Sequence, residues 1–302
     1  RRFQLYIPTS VCEGFDDSPT GTIGILPLVF TVHALGRTFG MWDSFEETAE
    51  EYQFVWVAPQ GLQNSFNAGD ESCCGYALEH GVDDKEFFRT IIQELAAENS
   101  FVSADWAYAL GKGNGGYMVS AAADLFRAVG PIAGYQIENL PLQRPTALFL
   151  HHSLDDTKVR PTGCCKDPSM PDCCCNISAH LDTCTSVEAQ VERWAMNNGC
   201  SNSSASDISF QIPGEITCYT YDSCQANTTY CIYEHRGHFD LSTLPTGQIA
   251  DFFANHMCTT GNPDAIWDAS QRICRCPQTP QELPTYCSTI IETRRDYPGN
   301  RT

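Results

Sequence analysis

The stretch Trp106-Ala-Tyr-Ala-Leu110 is a short apolar run that passes directly into Gly111-Lys-Gly113-Asn-Gly-Gly116, and an alanine-rich segment opens at Tyr117. A strand that must become a helix within a few residues needs backbone freedom and close approach, which glycine permits. This junction commits the chain to an architecture in which strands and helices alternate. Its neighbours agree. Residues 25–32 and 54–59 are continuous apolar runs of strand length, the pattern of parallel strands covered on both faces, and residues 146–151 form another. Residues 3–8 read as an edge strand closed by a proline, and residues 210–231 as strands and turns.

Helical periods lie between these runs. Residues 41–52 place Trp42 and Phe45 inward, and residues 83–95 carry apolar side chains at 87, 88, 91, 92 and 95 behind an aspartate. Residues 117–129 follow the glycine turn. Residues 187–197 have the stripe Val187, Val191, Trp194, a capping box Thr185-x-x-Glu188, and Gly199 past their end. Residues 248–256 make a last helix. The expected fold is α/β: a mostly parallel sheet with helices on both faces. It occupies residues 1–257, with a Cys-rich insertion at about 161–184 and a Cys/Pro-rich C-terminal extension at 258–302.

Composition narrows the function classes. A net charge of −19 repels phosphate backbones, so nucleic acid is excluded as a partner. No apolar run reaches the ~20 residues of a membrane span. Of the 17 cysteines, seven occur as Cys73-Cys74, Cys164-Cys165 and Cys173-Cys174-Cys175 and the others singly, a disulfide framework rather than a zinc site. Cys274-x-Cys276 is too tightly spaced for zinc, no calcium loop is present, and no metal or cofactor is expected. The odd count leaves one thiol unpaired or bridged to another chain. Sequons at Asn176, Asn202, Asn227 and Asn300 point with the cysteines to a secreted, N-glycosylated protein.

Several separated motifs carry a family resemblance over about residues 2–256. These are Arg2-Phe-Gln-Leu-Tyr-Ile-Pro8, Leu26-Pro-Leu-Val-Phe-Thr-Val-His33, Phe66-Asn-Ala-Gly69, Cys73-Cys74-Gly75, Gly81-Val-Asp-Asp84 and Gly111-x-Gly113-Asn-Gly-Gly116. Together they resemble the feruloyl esterase and poly(3-hydroxybutyrate) depolymerase branch of secreted α/β-hydrolases. The resemblance implies an α/β-hydrolase fold with a nucleophile, acid and histidine in that chain order. It sets Gly113 where the nucleophilic serine belongs, Asp156 (with Asp155 as the near alternative) at the acid, and His238 at the histidine. Ala34, Leu35 and Asn114 fall in the oxyanion loops, where the family carries further glycines after His33. His152-Ser153 likewise replaces an expected His-Gly.

A glycine offers no hydroxyl to deprotonate, so the implied protein is a pseudoenzyme that forms no acyl-enzyme. His238 and Asp156 then read as a retained hydrogen-bonded pair. Lys112 reads as a rim lysine, Tyr117 as a packing aromatic, Asp83 and Asp84 as helix caps, and Glu46, Glu47, Glu50 and Glu51 as a solvated face. Three functional expectations follow. The first is a non-catalytic extracellular glycoprotein that self-associates, or assembles with other glycoproteins or polysaccharides, into a coat, matrix or filament. The second is a carbohydrate- or ester-binding module using the vestigial groove. The third, which the substitutions argue against, is an active carboxylesterase.

Overall fold

The computed structural model describes residues 1–9, 26–69, 74–99, 101–134, 142, 144–163, 186–201 and 206–257, with the backbone of three short strands beyond. In chain order the elements are β1 (Arg2–Tyr6), β2 (Leu26–Val32), a 3-10 turn (Phe39–Trp42), α1 (Phe45–Tyr52), β3 (Val55–Pro59), α2 (Tyr76–Glu79) and α3 (Asp84–Glu98). Next come β4 (Val102–Lys112), α4 (Asn114–Ala121), β5 (Ala128–Ile132), β6 (Ala147–Ser153), α5 (Val187–Asn197), β7 (Asp207–Ile212), β8 (Ile216–Thr220), β9 (Thr228–Tyr233) and α6 (Thr246–Met257). Three short strands follow: β10 (Ile266–Asp268), β11 (Ile273–Arg275) and β12 (Ile291–Arg294).

One 10-stranded sheet runs in the order β12-β1-β3-β2-β4-β5-β6-β9-β8-β7. Its centre, from β3 through β2, β4, β5 and β6 to β9, is parallel, and antiparallel strands flank it at both ends. Parallel neighbours require helical crossovers, and these cover both faces. Alternation along β2 shows the division: Leu28, Phe30 and Val32 join Phe88, Ile91 and Met118 on one face, while Val29 joins Phe45, Ala49 and Phe253 on the other. All seven β2 residues are buried, which is why this run carries no polar alternation.

The elements depart from the sequence expectation in four places. The segment expected as one helix over 41–52 is a 3-10 turn and then α1, separated at Asp43-Ser44. The helix after the glycine turn ends at Ala121, and residues 128–132 form β5 instead. Pro131 has no N–H for a helix, while the apolar run around it is fully buried between β4 and β6. Ser186 rather than Thr185 caps α5, its hydroxyl accepting the Ala189 N–H at 3.2 Å; Thr185 lies outside the described residues. Finally, β1 is not an edge: it pairs with β3 on one side and with β12 on the other, Arg2 opposite Arg294 and Leu5 opposite Ile291. A segment nearly 300 residues along supplies that pairing, which no local pattern around residues 3–8 encodes.

Two disulfides fix the end of the sheet bearing β7. Cys200 joins Cys224, and Cys218 joins Cys231 across directly opposed positions of β8 and β9. Cys74 is also disulfide-bonded. Replacing both Cys218 and Cys231 by alanine is expected to lower unfolding free energy by about 2–4 kcal/mol, since their loop closure no longer restrains the unfolded chain. Urea denaturation under non-reducing conditions measures this; an unchanged midpoint contradicts it. The insertion beyond residue 163 and the sequons Asn176, Asn202 and Asn300 lie outside the described residues. Asn227 is exposed immediately before β9.

Candidate functional site

The turn from β4 into α4 is held in a conformation that only glycine adopts cheaply. Gly113 has φ 54° and ψ −118° and sits at the N-cap of α4, with no side-chain cap and no acidic residue in the first turn. A side chain there carries backbone strain of about 1–3 kcal/mol. The helix behind it lies against β2 so closely that a Cβ on Gly115 would meet the Val32 carbonyl oxygen at 2.1 Å. Glycine spacing around the turn therefore follows from close backbone crossing as well as from φ.

Asn114, expected as an oxyanion-loop remnant, has its side chain engaged elsewhere. Its Oδ1 accepts the Phe66 N–H at 2.7 Å and its Nδ2 donates to the Phe66 carbonyl at 2.9 Å, both buried. This clamp ties the start of α4 to the 66–69 motif, which explains physically why both stretches stood out in the sequence. Asn114→Ala leaves two buried backbone groups without these partners and is expected to cost about 2–4 kcal/mol. Thermal unfolding of the variant measures it; a loss below about 0.5 kcal/mol would contradict the clamp.

The loop after β2 approaches the same turn. His33 is fully buried; its Nε2 accepts the Gly61 N–H at 3.0 Å and its Nδ1 donates to the Ala34 carbonyl at 2.9 Å. Burial lowers its pKa to about 4, so the ring is neutral and fixes the loop path. The Ala34 N–H points to Met41 Sδ at 3.4 Å. Leu35 is 47% exposed and stands over Gly75, its Cδ1 2.9 Å from where a Cβ would lie on that glycine.

Beyond β6, Asp156 is buried and its carboxylate is fully directed. Oδ1 accepts the N–H groups of Lys158 at 2.8 Å and Val159 at 2.9 Å, and Oδ2 accepts His238 Nδ1–H at 2.9 Å. His152 lies against it, Nε2 at 3.7 Å from Oδ2, while donating to the Val159 carbonyl at 2.7 Å. The other face of His238 looks at the glycine turn: its Nε2 is 3.2 Å from a Cβ built on Gly113. Gly113, His238 and Asp156 thus lie in line, at the carboxyl ends of the parallel strands.

Asp155 has a different task. It accepts the Gly237 N–H at 2.7 Å and the Ser153 hydroxyl at 2.6 Å, and Ser153 also accepts the Arg236 N–H at 2.9 Å. These bonds, the hydroxyl first, hold its carboxyl below the usual range. Ser153 and Asp155 together pin the 236–238 loop that carries the histidine. Ser153 stands out in the sequence only as a departure from His-Gly; its bonding role comes from a loop some 80 residues away, which no local pattern encodes.

Other singled-out groups divide. Asp83 caps α3, accepting the Glu86 N–H at 2.8 Å. Asp84 does not cap: it is buried, accepts the Asn67 N–H at 2.7 Å and pairs with Arg1, and burial raises its pKa. Glu50 is no solvated side chain either, since it receives the Tyr6 hydroxyl and the Thr9 N–H and hydroxyl. Tyr117 is fully buried. Lys112 is half-buried; desolvation first, then Lys158 and Arg37, lowers its pKa. Among the described residues no three His, Cys, Asp or Glu side chains gather as metal ligands would, and no helix is long and apolar enough to cross a membrane.

The sheet order, the strand-to-helix turn and the crossovers are those of the α/β-hydrolase fold. An acetyl xylan esterase from Aspergillus awamori superposes with a TM-score of 0.55, over 83% of this chain and 93% of that one, at 11% identity. That likeness bears on the fold alone. A thermostable esterase (TM-score 0.38, 18% identity, 52% of this chain and 44% of that one) and a fluorophosphonate-binding serine hydrolase of Staphylococcus aureus (TM-score 0.37, 13% identity, 51% and 74%) are more distant. No protein-family model and no curated protein matches the chain.

Proposed function

We propose that this chain is a catalytically silent hydrolase-fold glycoprotein of the extracellular space, serving as a structural or assembly subunit of a coat, matrix or filament. The observation that carries the proposal is Gly113: the backbone of the turn keeps φ 54° and ψ −118°, and His238 faces it, yet the position has no nucleophilic atom. A histidine held by a carboxylate accelerates acyl transfer only by taking a proton from a nucleophile. Here the pair bridges two loops instead. The Ala34 amide, directed to Met41 sulfur, supports the same reading, because an oxyanion donor must face the reacting oxygen. Extracellular placement rests on the disulfides and on sequons such as exposed Asn227.

Under this reading residues 258–302 are an extension added to a domain of residues 1–257, and β12 is its attachment to the sheet. Negative-stain microscopy of the native secreted material at low protein concentration tests the assembly role. Regular fibres or sheets are expected, and truncation at residue 258 is expected to remove them. Isolated single-chain particles contradict the assembly role. The preserved His238–Asp156 contact favours a second reading, a binding module whose vestigial groove holds a carbohydrate or an ester.

A further inference from the structure

The loops that meet at Gly113 bring cations together on a molecule of net charge −19. Lys112 ends β4, one residue before the turn. Lys158 follows the acid, its N–H on Asp156 Oδ1 at 2.8 Å. Arg37 closes the turn after β2, its N–H on the Ala34 carbonyl at 3.0 Å, and the Ala34 Cβ lies 3.8 Å from where a Cβ would stand on Gly113. The chain has four lysines and two of them are here, so the grouping exceeds the background density of positive charge. Among the described residues no ion pair joins Lys112, Lys158 or Arg37 to a carboxylate, whereas Lys85 pairs with Asp124 and Arg89 with Glu86.

The other polar groups at this point also lack an acceptor. His238 Nε2 has no hydrogen-bond partner among the described residues, and the side chain is 21% exposed. With no side chain at residue 113, nothing of that residue stands between Nε2 and a ligand oxygen. Helix α4 starts there with neither a side-chain cap nor an acidic residue in its first turn, so its dipole is unopposed. Asp156 is already engaged by His238 and two backbone N–H groups, and Asp240 is exposed. Desolvation first, then Lys158 and Arg37, makes the Lys112 charge costly, with Asp240 and Asp156 offsetting only part of it. A bound anion relieves that cost. The local cations act over a Debye length of about 8 Å at physiological ionic strength, and the acidic remainder of the surface repels a long polyanion. A single carboxylate suits both conditions.

We propose that the vestigial site takes a sugar acid, its one carboxylate received by Lys112, Lys158 and His238 Nε2 at the start of α4, with Arg37 at the rim. This rests on the second reading above, that the groove holds a carbohydrate, and specifies the charge of that carbohydrate. Ligand-observed NMR titration of the full chain with glucuronate, against its methyl ester and glucose, tests it. Glucuronate is expected to bind saturably and at least about tenfold tighter than either neutral sugar, the effect of one charged hydrogen bond. Lys112→Gln and Lys158→Gln are each expected to weaken glucuronate about tenfold with circular dichroism unchanged. Lys85→Gln removes the same charge near Asp124, beyond the far end of α4, and is expected to leave binding unaltered. Equal affinity for the acid and its ester, insensitivity to both site lysines, or an equal loss in Lys85→Gln overturns the assignment and leaves the binding-module reading standing. Binding of none of the three sugars overturns both.

Discussion

Gly113→Ser is expected to raise hydrolysis of an activated ester such as p-nitrophenyl acetate by about 10³–10⁴-fold over the unaltered chain. Removing the nucleophile of a serine hydrolase costs about 10⁶ in turnover. The groups needed to use a restored hydroxyl are adjacent: His238 Nε2 lies 3.2 Å from the new Cβ, a tight contact that the ring relieves by moving a few tenths of an ångström, and its Nδ1 is held by Asp156 at 2.9 Å. Recovery is incomplete because the Ala34 amide is directed to Met41, and one missing oxyanion donor costs about 10²–10³. The serine also adopts a φ of 54°, so the variant is expected to lose about 1–3 kcal/mol of stability. Adding His238→Ala should remove the gained rate. An inert Gly113→Ser that folds normally means that the groove no longer admits an ester.

Acid is expected to destabilise the protein well above the carboxylate range. Burial lowers the pKa of His33 to about 4 and of His151 to about 3, against about 6.5 for an unfolded histidine. Between these values the unfolded chain binds protons that the native chain refuses. The contribution is fully present above about pH 6.5 and is lost as pH falls, by about 1.4 kcal/mol per unit for each ring. Stability is therefore expected to drop by about 3 kcal/mol from pH 6.5 to pH 5, the unfolded rings being half protonated at the start. Asp84, raised by burial, acts in the opposite sense, and Asp155, lowered by its bonds to Ser153 and Gly237, adds to the loss only at the acid end. Urea denaturation across this range measures the slope; a flat profile between pH 7 and pH 5 contradicts the buried neutral histidines.

Legibility in the sequence followed the range of the interaction. Buried parallel strands with unbroken apolar runs are readable, and so β2, β3 and β6 lie within a residue or two of the expected bounds, whereas β5, whose short run contains Gly130 and Pro131, reads as part of the preceding helix. The glycine turn was readable because close crossing and positive φ both exclude side chains, whatever lies around them. What escaped depends on partners distant in the chain. Asn114 reaches Phe66, Ser153 reaches Arg236, Glu50 reaches Tyr6, and β12 covers β1. Residue types that cap, bridge or sit in solvent are the same, so pattern alone reads Asp84 as a helix cap and Glu50 as a solvated side chain. Choosing between Asp155 and Asp156 likewise needed geometry: adjacent carboxylates point to different loops, one to the backbone at Gly237 and one to His238.

The most direct test of the central claim is intact-mass spectrometry of the purified native protein after incubation with a fluorophosphonate, which phosphonylates activated serine hydroxyls. No added mass is expected on the unaltered chain, and a single adduct on Gly113→Ser, mapped to residue 113. A stoichiometric adduct on the unaltered chain contradicts the claim, because some other hydroxyl would then be serving His238 as a nucleophile.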